Sequence, residues 1–159
     1  MAKVVVFPGS FDPFTRGHQA IVESSLLLFD KVVIAIGENI NKNSLLSIDQ
    51  RVKLIEETFA NEERVECVTY SNLTIDLSRS LNAKAMIRGV RNTIDFEYER
   101  NMAQTNKRLA ADIPTLLLLT PPEYADISSS TVRELLKFGC DTAQMMPEGI
   151  DIKKYIQQK

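Results

Sequence analysis

Short, unbroken runs of β-branched and leucine residues alternate along this chain with longer stretches whose apolar residues recur at three- and four-residue intervals. The short runs predict strands at Val4–Phe7, Val32–Gly37, Val65–Thr69, Lys84–Arg88 and Thr115–Thr120. Their nearly continuous Val, Ile and Leu content suits strands covered on both faces. The longer stretches predict helices. Gly17–Phe29 carries Ile21, Val22, Leu26 and Phe29 at helical spacing. Ser47 and Gln50 form the Ser-x-x-Gln pattern of a capping box, opening a helix that runs to about Ala60. Further helices are expected near Leu73–Leu81, Asp95–Ala111 and Thr131–Phe138, the last stopped by Gly139. Pro147 suits the first turn of a final helix.

Five such alternations imply an α/β fold. The expectation is a single domain over residues 1–159, a Rossmann-like, doubly wound, five-stranded parallel sheet with helices on both faces. Strand order stays open at this level. Ligands of such sheets bind beyond the C-terminal ends of the strands, so the residues that follow each strand are the ones to read for chemistry.

Composition narrows the classes. With 159 residues, 44% hydrophobic and 25% charged, the chain has the make-up of one globular domain. A net charge of −2 and a pI near 5.5 argue against a general nucleic-acid binder, which needs a basic face. A few cations around one phosphorylated ligand remain compatible with it. Cys67 and Cys140 are far apart and lack metal-ligand spacing, and they read as thiols of a reducing compartment. Val4–Phe7 is too short for a signal-peptide core, and Leu116–Leu119 is too short to span a bilayer. The expectation is a cytoplasmic protein with no membrane partner.

Pro8–His18 follows the first strand (PGSFDPFTRGH) and is neither a dinucleotide fingerprint nor a Walker-type phosphate loop. His18, the only histidine, falls at the start of a helix, where free N–H groups favour anions. A lone histidine there is commonly surface decoration, and its place beyond strand one is what favours function. Lys42 lies in the polar loop after strand two. Arg88 and Arg91 flank Gly89 after strand four, and an arginine fork matches phosphate oxygens. The competing reading is a surface pair balancing Asp95, Glu97 and Glu99. Ile127–Thr131 (ISSST) precedes a helix and offers hydroxyls and N–H groups as a second anion site, or simply an N-cap at Ser130.

These segments coincide with a known pattern. Gly9–His18 resembles the T/H-x-G-H motif of the nucleotidyltransferase superfamily, and Ile127–Arg133 (ISSSTVR) resembles its I-S-S-x-x-x-R/K motif. The segment Ile87–Glu99 (IRGVRNTIDFEYE) resembles the central signature of the bacterial phosphopantetheine adenylyltransferase family, and the likeness runs from about Lys3 to Ile156. It implies the penultimate step of coenzyme A synthesis: ATP and 4′-phosphopantetheine give dephospho-coenzyme A and pyrophosphate, with Mg²⁺ as cofactor and no metal ligand assigned to the protein. It implies a catalytic set of His18, Lys42 and Arg91. Ser10, Lys42, Thr74 and Arg88 would line the phosphopantetheine side. Ser10, Phe11, His18, Gly89, Val90, Arg91, Glu99 and the run Tyr124, Ala125, Asp126, Ile127, Ser128, Ser129, Ser130 would hold ATP. A homohexamer and feedback by coenzyme A are implied as well. Thr15 stands where the wider superfamily has its first histidine, as is common in this family. Asp126 stands where an apolar or aromatic residue is expected.

The chemistry agrees with the residue types. The attacking phosphate of the acceptor is already ionised at neutral pH, so no general base is needed. What is needed is positioning of two anions and preorganised positive groups. Two enzyme and non-enzyme alternatives compete. One is a relative using another phosphorylated acceptor, such as nicotinate mononucleotide or a polyol phosphate. The other is a nucleotide-sensing module that binds ATP and releases no pyrophosphate. An RNA-binding relative of the synthetases is disfavoured by the acidic pI.

Overall fold

A computed structural model describes residues 1–38 and 43–156. Lys42 therefore lies outside the described residues. Five parallel strands, β1 (Val4–Gly9), β2 (Lys31–Gly37), β3 (Val65–Tyr70), β4 (Ala85–Val90) and β5 (Thr115–Leu119), form one sheet in the order β3-β2-β1-β4-β5. The chain winds outward from β1 to β3, then returns to the other side of β1. The order thus reverses between β1 and β4, where a crevice is left at the C-terminal strand ends.

The alternation of side chains across the pleat explains the double cover. Val5, Phe7, Val32, Ile34, Ile36, Ala85 and Ile87 enter one core. They pack there with Ile21 and Val22 of α1 (Arg16–Ser25), Leu54 and Ile55 of α2 (Ile48–Thr58) and Val132 of α5 (Ser129–Lys137). Val6, Val33, Ala35 and Met86 enter the opposite core. Their neighbours there are Ile75 of α3 (Thr74–Ser80), and Ala110 and Ile113 just beyond α4 (Thr93–Leu109). Met146 is fully buried in the first core, beside Ile150, Ile152 and Tyr155 of the C-terminal segment.

Several boundaries differ from the sequence reading. α1 stops at Ser25 rather than Phe29, because the chain tightens into a turn (Leu28 N–H to Ser25 O, 3.0 Å) in order to enter β2. Leu26 and Phe29 still pack on the core. β4 runs past Arg88 to Val90, since its pairing with β5 continues through Gly89↔Leu118 and Val90↔Leu119. α4 begins at Thr93 with Asn92 as its cap. α5 is capped by Ser128, not Ser130: the Ser128 hydroxyl accepts from the Thr131 N–H at 3.0 Å. Pro147 opens a turn, and the short last helix, α6 (Lys153–Ile156), starts six residues later, after Asp151 accepts the Lys153 N–H. The Ser47–Gln50 capping box is present as expected.

Candidate active site

At the crevice between β1 and β4 lies a cavity of about 370 Å³. Its walls come from the end of β1 (Phe7–Phe11), the start of α1 (Thr15, Gly17, His18, Ile21), the end of β4 (Arg88, Gly89, Arg91) and the start of α5 (Ile127–Ser130), with Asp95, Glu99 and Thr120.

His18 is the third residue of α1. Thr15, the N-cap, has its side chain accepting the His18 N–H, while the His18 ring reaches back and accepts the Thr15 N–H at Nδ1, 3.0 Å away. A nitrogen that accepts from a backbone N–H carries no proton, so the neutral ring is protonated at Nε2. The rings of Phe11 (5.1 Å), Phe14 (5.3 Å) and Phe7 (6.1 Å) surround the imidazole. Burial among them, together with the charges of Arg88 and Arg91, pushes the His18 pKa from 6.5 down to about 3. At neutral pH His18 is an uncharged Nε2–H donor at the cavity wall. Phe11 adopts a left-handed backbone (φ 49°), and its ring lies over Gly9, where an added Cβ would sit 2.9 Å from the ring. Glycine at that position is what lets the ring close down.

Each arginine is anchored by a carboxylate. Arg88 makes a two-pronged pair with buried Glu99, Nε and one Nη at 2.8 Å each, and also donates to the Pro8 carbonyl. Arg91 pairs with Asp95 through Nε at 3.0 Å. The spacing of Arg91 and Asp95 is i,i+4, and the Asp95 carboxylate also accepts the Arg91 N–H at 3.1 Å. A guanidinium has five N–H donors, so both keep donors for an anion while the carboxylates fix the fork. The balancing of arginines by Asp95 and Glu99 and their place on the cavity therefore hold together.

The serines of ISSST divide their work. Ser128 caps α5, and Ser129 donates to the Pro13 carbonyl at 2.8 Å. Ser130 accepts from Arg133 at 3.2 Å, and Arg133 also donates to the Asp12 carbonyl at 2.7 Å. The Ser129–Pro13 and Arg133–Asp12 contacts weld the α5 start to the loop after β1. The leading N–H groups of α5, at Ser129 and Ser130, have no intrahelical acceptor, and both residues line the cavity, an arrangement that suits an anion.

The structure brings Ser10, Phe11, His18, Arg88, Gly89, Arg91, Glu99, Ile127, Ser128, Ser129 and Ser130 onto one cavity. Val90 is buried beside it without lining it. Tyr124 ends a 3-10 turn (Pro122–Tyr124) just outside, followed by Ala125 and the exposed Asp126. Thr74 stands apart, at the first turn of α3, bonded to the Tyr70 hydroxyl at 2.8 Å. Thr15, Asp95 and Thr120 were not singled out as site residues. Thr15 and His18 have the spacing of a capping box, and Arg91 and Asp95 that of a helical ion pair, signals that would have found two of them. Among the described residues no group of three or more His, Cys, Asp or Glu side chains could hold a metal.

Neutral donors, two anchored guanidinia and two helix starts around one space suit the binding of phosphate chains. They also suit stabilisation of charge on a phosphoryl group. The comparisons agree. The cytidylyltransferase-like family matches residues 6–135. The phosphopantetheine adenylyltransferase of Cytophaga hutchinsonii is 46% identical over 92% of this chain and 98% of its own length. That of Phocaeicola vulgatus is 48% identical over 92% and 97%. In fold, the chain is similar to a putative nicotinate-nucleotide adenylyltransferase from Vibrio parahaemolyticus (TM-score 0.68, 19% identity, 99% of this chain and 100% of that one). It is also similar to a bifunctional NMN adenylyltransferase/ADP ribose pyrophosphatase from Francisella tularensis (TM-score 0.72, 18% identity), covering 99% of this chain and 49% of that one. On sequence and fold together, this chain belongs to the phosphopantetheine adenylyltransferase family of cytidylyltransferase-like proteins.

Proposed function

We propose that this protein transfers the adenylyl group of ATP to the phosphate of 4′-phosphopantetheine, giving dephospho-coenzyme A and pyrophosphate. The observation that carries this reading is the near full-length identity to enzymes of that name. The cavity beyond β1 and β4 supplies the parts the reaction needs. An oxygen of the acceptor phosphate attacks the α-phosphorus of ATP, a new P–O bond forms, and the bond to the β-phosphate oxygen breaks with pyrophosphate leaving. No proton need move. His18 donates Nε2–H to the α-phosphoryl oxygen as charge builds there. Arg88, with Ser10, receives the acceptor phosphate. Arg91 and the α5 N–H groups at Ser129 and Ser130 hold the polyphosphate, and Lys42 adds a cation from the segment before α2. Gly89, Val90 and Tyr124–Ile127 border the nucleoside, and Thr74 the pantetheine arm.

The divalent cation is Mg²⁺. The cavity's carboxylates, Asp95 and Glu99, are both committed to arginines, which fits a cation held mainly by phosphate oxygens and water. When bound it would neutralise charge on the polyphosphate. The proposed assembly is a homohexamer. Its support on this chain is the exposed apolar face of α4, with Ile94, Tyr98, Met102 and Leu109 open to solvent. Coenzyme A, which carries the same pantetheine arm, would compete as a feedback ligand. No helix among the described residues is long and apolar enough to cross a membrane. The location that goes with the proposed coenzyme A chemistry is the cytoplasm.

The test is pyrophosphate release from ATP and Mg²⁺ with 4′-phosphopantetheine, nicotinate mononucleotide or glycerol 3-phosphate as acceptor. Release with phosphopantetheine alone is expected. Release with another acceptor, or none from folded protein that binds ATP, overturns the substrate or the reaction.

A further inference from the structure

Asp12 belongs to the loop after β1 but does not line the cavity, and the residue is buried (6% exposed). Its two oxygens accept the backbone N–H groups of Leu46 (2.8 Å) and Leu45 (2.9 Å), which belong to the segment leading into α2. Arg51, on the first turns of α2 and equally buried, lies 3.6 Å from the same carboxylate. Its guanidinium grips carbonyls from two segments: Leu46 O through Nε (3.0 Å) and Nη2 (2.9 Å), and Ser10 O through Nη1 (3.1 Å).

A buried ion pair is a poor device for stability alone, because desolvation offsets the attraction. This pair is spent instead on backbone groups of two separate segments. It holds Ser10, a cavity residue, by its carbonyl, immediately before Phe11, whose left-handed backbone persists only when its surroundings over-determine it. Phe11 in turn packs edge-on against His18 at 5.1 Å.

We propose that Asp12 and Arg51 are positioning residues: together they lock the Ser10–Phe11 turn to the segment entering α2 and so set the wall against which His18 sits. The kinetic arm of this inference rests on the adenylyl-transfer reading; the spectroscopic arm does not. A lysine at position 51 lacks the planar fork that reaches the Leu46 and Ser10 carbonyls from separate nitrogens, since its donors sit on one atom. An asparagine at position 12 keeps one acceptor and turns a donor toward a backbone N–H.

The experiment compares wild type, Arg51→Lys and Asp12→Asn for thermal unfolding, for the ring resonances of the single histidine, and for kcat and KM per folded protein. Both variants are expected to stay folded, to shift the His18 resonances, and to lose about tenfold to a hundredfold in kcat with KM for ATP little changed. Folded variants with wild-type His18 resonances overturn the inference. So does activity that falls only in step with the loss of folded protein. If wild type itself shows no transfer to phosphopantetheine, the functional reading fails, while the resonances still decide the positioning role.

Discussion

The backbone N–H of Thr15 donates to Nδ1 of His18 across 3.0 Å, and this one bond decides which way the imidazole presents its proton. With Nδ1 occupied as an acceptor, the proton sits on Nε2, the edge available to a phosphoryl oxygen. Nitrogen-15 spectra of the single histidine should show the Nε2–H tautomer at neutral pH. A Nδ1–H tautomer, or a charged ring, contradicts the geometry.

His18 is held neutral by burial and by Arg88 and Arg91, with a pKa near 3. The unfolded chain protonates the same ring near 6.5. Between those values the unfolded state binds the extra proton, so stability from His18 is full above 6.5 and is lost as pH falls toward 3. The unfolding free energy of wild type relative to His18→Gln should fall by up to about 1.4 kcal/mol per pH unit in that window. A flat difference would show a ring that titrates as it does in water.

Removing His18 tests its part in the transition state. His18→Ala should lower kcat by about 10²–10³-fold, as loss of an oxyanion donor does. The apparent affinity for ATP should change far less. Intact turnover at saturating ATP would reduce His18 to a ground-state contact.

Glu99 is buried and spends both oxygens on Arg88. Glu99→Gln leaves that guanidinium without its counter-charge and should cost about 2–3 kcal/mol of stability, less than a fully buried broken pair because Arg88 is partly exposed. Phosphate should then raise the thermal midpoint of the variant more than that of wild type, since the released fork takes an anion instead. Equal shifts would mean that Glu99 does not control Arg88.

The apolar face of α4 predicts self-association. Tyr98→Glu combined with Met102→Glu should reduce the assembly to smaller species by sedimentation while leaving the fold intact. An unchanged mass would place the subunit contacts elsewhere.

How far the sequence reaches can be traced through these residues. The strands were legible because Val5, Val6, Val32–Ile36 and Ala85–Ile87 are apolar on both faces of the pleat, which only a doubly covered sheet allows. The Ser47 cap was legible because it is local. β4 was read two residues short because Arg88 and Gly89 look like a strand end, whereas pairing with β5 carries them inside it. The cap at Ser128 was hidden among three adjacent serines that offer the same chemistry. The Asp12 and Arg51 contacts were out of reach, since Asp12 meets Leu45 and Leu46 only after the sheet has brought β1 and β2 side by side. The site residues came from their places after the strands and from motif likeness; their arginine–carboxylate anchoring came only from the fold.

The central claim is that the α-phosphorus of ATP is the atom transferred to phosphopantetheine. The direct measurement is incubation with ATP labelled at either the α- or the γ-phosphorus, followed by separation of the products. The account predicts α-label in dephospho-coenzyme A, γ-label in pyrophosphate, and none on the protein. γ-Label on the acceptor, α-label held on the protein, or α-label that never leaves ATP would contradict it.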